Sequence, residues 1–217
     1  MNPIRLRSLR SKLLLAFGVL ALVPLVVLSV LSTRESTQKL EALAGEHLSA
    51  RAMTVADAFA SYLDERQADV ALFARHPAAV AGTSQELAVL ADSYIDLANA
   101  YDMMVIADLD GRIIATNTHT GDHKRVADVV GKSVQGRPWF DAMKAAPAGS
   151  HYMSSGAELD PLVAQAVLGD GKGVTFAMGI FDEHGVLVRV WANHISWERS
   201  VTAIVRRELE LMKTTGI

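Results

Sequence analysis

The feature that most restricts this chain is a run of nineteen residues without a charge, Leu13 to Leu31, reading LLLAFGVLALVPLVVLSVL. At a rise of 1.5 Å per residue, about 20 apolar residues cross the ~30 Å hydrocarbon core of a bilayer. Its one proline, Pro24, is tolerated there, because neighbours re-satisfy the backbone groups that a proline frees. Arg5, Arg7, Arg10 and Lys12 precede the run and no acid does. Such a flank stays on the cytoplasmic side, so everything after Ser32 is expected outside. A cleavable signal peptide is the alternative, but its apolar region is ordinarily shorter, and no small-x-small cleavage site follows Leu31 cleanly. The sequence predicts a cytoplasmic stub (1–12), a transmembrane helix (13–31) and an external remainder with no second span.

Composition narrows that remainder. Of 217 residues, 50% are hydrophobic and 21% charged, too apolar for a disordered chain. There is no cysteine, which removes disulfide frameworks, thiolate metal sites and cysteine nucleophiles together. The net charge of −3 splits into +4 over residues 1–12 and −7 beyond them, where 17 bases face 24 acids. Gripping a phosphate backbone takes clustered cations, so no nucleic-acid partner is expected.

Residues 34–76 hold no proline and a single glycine, Gly45, and apolar residues recur at Leu40, Leu43, Leu48, Val55, Phe59, Leu63, Val70 and Phe73. Steps of three and four place them on one stripe of a helix, opposite Glu41, Glu46, Arg51, Asp57, Glu65 and Arg66. A helix of that length is about 60 Å long and reads as a stalk that packs on a small domain, on a second copy, or on both. Pro77 ends it. A second helix fits Ser84–Tyr101, with Ser84 as its cap.

The period changes at residue 103. Two β-prone runs, Met103–Ala107 and Arg112–Thr116, flank Asp108-Leu109-Asp110-Gly111, a hairpin signal. The arrangement returns as 173–181 and 186–195 around Asp182-Glu183-His184-Gly185. Between the hairpins lie a polar loop (117–136), a helix near Trp139–Ala146 and a short strand near His151–Ser154; a last helix fits Trp197–Lys213. The expected fold class is α+β, with a central antiparallel sheet of about five strands behind the stalk helix.

Few segments offer chemistry. His119 and His123 stand four apart, a metal-binding spacing on a helix, but Gly121 between them implies a loop and nothing nearby supplies the remaining ligands; a solvated loop is the sequence's reading, and no metal is expected. Asp108, Asp110 and Gly111 lack the later ligands of a calcium loop, and hairpin chemistry accounts for them. There is no GxSxG elbow to suggest a hydrolase. The segment 169–173 (GDGKG) lacks phosphate-loop spacing and reads as a strand connection. The exception is Arg137-Pro138-Trp139-Phe140. A guanidinium can take a carboxylate bidentately and an indole can wall a cavity, and two residues apart they can face one cup; taken alone, the segment reads as a core tryptophan beside a surface arginine.

The order of these segments resembles the amino-terminal part of bacterial transmembrane receptors with a periplasmic Cache (PAS-like) sensor domain, above all methyl-accepting chemotaxis proteins. The anchor, the long helix, ADLDGRIIATN, VVGKSVQGRPWFDAM, GVTFAMGIFDEHGVLVRVWANHIS and the closing helix carry the resemblance, which spans essentially all 217 residues. It implies the ligand-sensing region of a signal-transduction receptor in the inner membrane, with a PAS-like Cache module over 77–195 in the periplasm. It also implies a homodimer through the helix 34–76, no cofactor and no enzymatic activity. In double-Cache receptors the membrane-distal module comes first and holds the ligand, so residues 196–217 are expected to lead into a second module beyond ELMKTTGI. Arg137, Trp139 and Phe140 match the RxWY motif of the amino-acid-binding members, with Phe for Tyr. A further tyrosine of those members falls near Ser155, with Tyr152 as a shifted candidate, and their amine-binding aspartate corresponds to His194. An imidazole is a poor ammonium partner, so a small carboxylate or other anion is the expected ligand. Asn193, Trp191, Phe176 and Met178 complete the expected wall. The sensor region of a histidine kinase or diguanylate cyclase, and an anchored interaction module without ligand, are the alternatives.

Overall fold

The computed structural model describes Ser29 and residues 45–215. The stub at 1–12, the transmembrane helix at 13–31 (Ser29 apart) and the start of the long helix at 34–44 lie outside the described residues. Among the described residues, no helix is long and apolar enough to cross a membrane. The chain divides into two compact units, 1–54 and 55–217. In the first, residues 45–54 are helical, with Leu48 and Met53 exposed.

The second unit opens with helix α1 (55–74). Of its apolar stripe, Val70 and Phe73 are buried, and Phe59 meets Trp197 edge-on at 5.3 Å. Arg66, expected on the polar face, is instead turned inward. Its guanidinium lies 5.2 Å over the Tyr62 ring and 5.6 Å over Tyr101, and reaches Asp69 at 3.3 Å. The cause is Tyr101, whose buried hydroxyl donates to Asp69 Oδ2 at 2.5 Å and so draws the charged pair down onto the rings.

Pro77 plays two parts. It disfavours helix in the residue before it, and it opens α2 (Pro77–Ala81), where His76 Nδ1 accepts from the Ala78 amide at 3.2 Å. Helix α3 (Ser84–Ala98) is capped by Thr83 rather than by Ser84. Thr83 Oγ1 accepts from the Glu86 amide while the Glu86 carboxylate accepts from Thr83 N at 2.7 Å, a reciprocal box that needs an acid three residues on.

Among the described residues, six strands form one sheet. They are β1 (Met103–Ala107), β2 (Ile113–Thr116), β3 (His151–Met153), β4 (Glu158–Leu159), β5 (Lys172–Phe181) and β6 (Leu187–Ser196). The order is β2-β1-β6-β5-β3, all antiparallel, with the two-residue β4 also on β5. The two hairpins share one turn chemistry. Asp108 Oδ1 accepts from the amides of Asp110 and Arg112, Asp182 Oδ1 from those of His184 and Val186, and Gly111 and Gly185 take φ of +73° and +77°. Only glycine enters that region without strain.

Side chains alternate across the sheet and feed two layers. On one face Met104, Ile106, Phe176, Met178, Ile180, Trp191 and Ile195 pack under α1, α2 and α3. On the other Met103, Val105, Ala107, Ala177, Val190 and Ala192 pack under α4 (Pro138–Ala145) and α5 (Pro161–Val167). Helix α5 and strand β4 were not foreseen. Helix α6 (Trp197–Thr215) leaves from the end of β6, with Tyr62 and Ser200 hydroxyls 3.3 Å apart beside it.

Trp191 ties the first layer together: fully buried, 6.0 Å from Phe73 and 6.4 Å from Tyr94, its Nε1 donates to Asn193 Oδ1 at 2.7 Å. Trp191→Ala is expected to lower unfolding free energy by about 3–5 kcal/mol, read from urea denaturation. Val89→Ala, at an exposed position on α3, is expected to stay within about 0.5 kcal/mol of wild type.

Candidate functional site

Three neighbouring strands lay the floor of a small cavity. His194 on β6 stands opposite Met103 on β1 and Thr175 on β5, and Val105 and Ala192 continue the floor. Trp139 from α4 and Leu162 and Val163 from α5 roof it, and Asp160 and the strand at Asn193 complete its border, the Asn193 side chain being turned to the other layer, where its Oδ1 accepts from Trp191 Nε1. The space is about 10 Å³, room for about one water. The roomy cup expected between Arg137 and Trp139 is therefore nearly filled here, with Leu162 and Val163 of α5 among the side chains that fill it.

Asp160 is the residue that sequence reasoning missed. It caps α5, its Oδ1 accepting from Leu162 N at 2.8 Å and Val163 N at 3.3 Å. The same oxygen accepts from Arg137 Nη1 at 2.5 Å. Arg137, at the N-cap position of α4, makes no cap of its own, and extended backbone there lets its side chain reach toward α5. A charged hydrogen bond of this kind is stronger than a neutral one, and both side chains are largely buried. The signal was legible: Asp followed by Pro is a cap with proline at the first helical position.

His194 is the second polar element. Its Nδ1 lies 3.2 Å from Thr175 Oγ1, while Nε2 is buried without a hydrogen-bond partner. Gly173 makes room for the ring, since a Cβ at 173 would lie 2.4 Å from Nε2 and 1.9 Å from Ile195 O. Burial pulls the His194 pKa down to about 4; Asp160 and Asp170 oppose that and Arg199 adds to it. The ring is therefore neutral near pH 7.

The other expected wall residues scatter. Phe140 is buried in the same layer but away from the cavity, against Trp139 and the first hairpin turn, where a Cβ on Gly111 would meet its ring at 3.2 Å. Tyr152 is half-buried on β3 opposite Ala177, and Ser155 is exposed. Trp191, Phe176 and Met178 belong to the opposite layer, as the strand alternation requires. A wider concavity of about 940 Å³ opens elsewhere, between the 120–125 loop, the α5–β5 connection and α6. There Arg199 pairs with Asp102 and, at 3.3 Å, with Asp122. Burial raises the Asp102 pKa although Arg199 pulls it down.

A neutral buried histidine has a pH signature. An unfolded imidazole titrates near 6.5, so below that pH the unfolded chain binds a proton that the folded chain refuses until about pH 4. Stability is then unaffected above about pH 7 and falls as pH drops from about 6.5 to about 4. The full loss is on the order of 3 kcal/mol. Urea midpoints measured from pH 8 to 4.5 are expected to fall more steeply for wild type than for His194→Gln; parallel profiles would contradict the assignment.

No protein-family model matches the chain, and no curated protein matches it. Among solved structures, the domain of a sensory box/GGDEF family protein from Vibrio parahaemolyticus superposes with a TM-score of 0.56 at 10% identity, over 67% of this chain and 57% of that one. The sensor domain of the V. cholerae histidine kinase DctB gives 0.53 at 14% identity, over 76% and 59%. The ligand-binding domain of the Pseudomonas fluorescens chemoreceptor CtaA, solved in complex with L-alanine, gives 0.50 at 16% identity, over 70% and 59%. This chain thus spans a little over half the length of those it matches. At these identities the likeness is one of fold: a helix-flanked antiparallel sheet shared with the sensor and ligand-binding domains of bacterial receptors.

Proposed function

We propose that this chain is the extracytoplasmic ligand-sensing region of a membrane signal-transduction receptor, with its ligand site beneath α4 and α5. In this reading residues 13–31 anchor it in the inner membrane, 34–76 form a stalk, 77–195 a periplasmic PAS-like Cache module, and 196–217 carry the signal onward. The fold supports it, as does the uncharged run at 13–31. Exposed Leu48 and Met53 suit a stalk that pairs with a second copy. The output, whether chemotaxis, a histidine kinase or a diguanylate cyclase, is a property of whatever lies beyond such a region.

The carrying observation is the polar cluster in an otherwise apolar layer. Asp160 and His194 border the cavity with Trp139, and Arg137 pairs with Asp160, where aliphatic side chains would pack without desolvating any charge. A small carboxylate competes with Asp160 for Arg137, and an amino acid would set its carboxylate on Arg137 and its ammonium on the released Asp160. Either exchange breaks the Arg137–Asp160 contact that ties the start of α5 to α4 and lets the roof lift, giving the two states between which a ligand must discriminate. The small volume of the cavity, about 10 Å³, favours the alternative of an interaction module without ligand, and the same experiment separates the two.

The full chain in detergent is screened by thermal shift against monocarboxylates, dicarboxylates and amino acids. A binder at about 100-fold above its Kd is expected to raise Tm by roughly 5–10 °C, and Arg137→Ala to abolish the rise. Asp160→Asn is expected to weaken amino acids while sparing simple carboxylates. A panel without a hit would support the interaction module instead, and an unchanged rise in Arg137→Ala would contradict the site at Arg137.

A further inference from the structure

We propose that Asp96, His119 and His123 form a binding site for a divalent transition-metal ion such as Zn²⁺, separate from the cavity beneath α5. The three residues each offer one ligand atom, and these atoms all lie within 4.8 Å of one another. The sequence alone gives two histidines on a loop; α3 brings the third donor across twenty-three residues, placing Asp96 Oδ1 2.8 Å from His119 Nε2. The two imidazole rings stack at 5.9 Å between centroids and 24° between planes. Two imidazoles and a carboxylate are the donors that Zn²⁺ takes at about 2.0–2.2 Å, with a fourth position left to water, and they favour such ions over Mg²⁺ or Ca²⁺.

A second observation points the same way. His119 Nδ1 lies 3.5 Å from Asp92 Oδ1, and Asp92 is itself held by the Thr118 amide at 2.6 Å and the Thr118 hydroxyl at 2.8 Å. A ligating histidine ordinarily has its other ring nitrogen oriented by a carboxylate in this way. The ion would take the place of the hydrogen bond between His119 Nε2 and Asp96, with His119 binding as the neutral tautomer that carries its proton on Nδ1, toward Asp92. Bound there, it would pin the 119–123 loop to the last turns of α3. Asp122 within that loop meets Arg199 on the first turn of α6, so the ion would also steady the point at which α6 departs.

The test is titration of the full chain with Zn²⁺ alone, by calorimetry with a competing chelator, and with Co²⁺ for its visible absorption. One ion per chain is expected, with the intense bands of tetrahedral Co²⁺. His123 is exposed, so His123→Ala should keep the metal-free unfolding midpoint while losing at least about 100-fold in affinity. Asp92→Asn, at a positioning residue, should lose about 10–100-fold with the Co²⁺ bands retained. No binding by wild type, or binding that His123→Ala leaves unchanged, as adventitious sites on the other five histidines would give, overturns the proposal.

Discussion

Along β5 and β6, ten residues each, side chains point alternately to opposite faces, and both faces are covered by helices. That two-residue period sorts the molecule. Trp191 and Phe176 go to the layer beneath α1–α3, while Ala192, His194, Thr175 and Ala177 go to the layer beneath α4 and α5. A slip of one residue would exchange the two sets, sending an indole into the space of an alanine. The two Asp-x-x-Gly turns and the closing of β1 onto β6 hold the register, and each later feature inherits it.

The two layers differ in kind. The first is apolar and aromatic, with Asn193 buried against Trp191 and the Arg66–Asp69–Tyr101 set as its charged group. The second is built on small and aliphatic residues and yet takes in an arginine, an aspartate and a neutral histidine. A charge pair withdrawn from water gains Coulomb energy but loses hydration, and the balance is near zero. Such a pair adds little stability and is correspondingly open to exchange. Arg137 and Asp160 fit a switch for that reason, because a carboxylate supplied from solution replaces one contact with an equivalent one. The roof that depends on the pair, α5, is only seven residues long, too short to stand without its cap and its three buried side chains.

Much of this was legible in the sequence, for identifiable reasons. The hairpins were, because Asp and Gly at fixed offsets leave few alternatives; so were α3 and α6, long enough for the helical period to show. Helix α5 was not, since seven residues hold too few turns for a pattern, although Asp160-Pro161 marked its start. Of the expected site residues, Trp139 and His194 border the cavity and Arg137 reaches it through Asp160, whereas Phe140 and Tyr152 lie apart from it and the Asn193 side chain turns to the other layer. Sequence spacing locates residues along an element, but which face they take depends on register and on helices that arrive from elsewhere. Asp160 opposite Arg137 and Asp96 opposite His119 are both long-range meetings of that sort, which no local pattern encodes.

A ligand site beneath α5 requires α5 to lift while the sheet beneath it holds. Amide hydrogen exchange on the unliganded full chain tests that without knowledge of any ligand. Amides at 164–167 are expected to exchange through local opening, roughly 100-fold or more faster than those at 190–194 in β6, and faster still in Asp160→Asn. If the α5 amides exchange only as slowly as the central strand, the roof opens only when the whole unit unfolds, and a ligand cavity beneath it is contradicted.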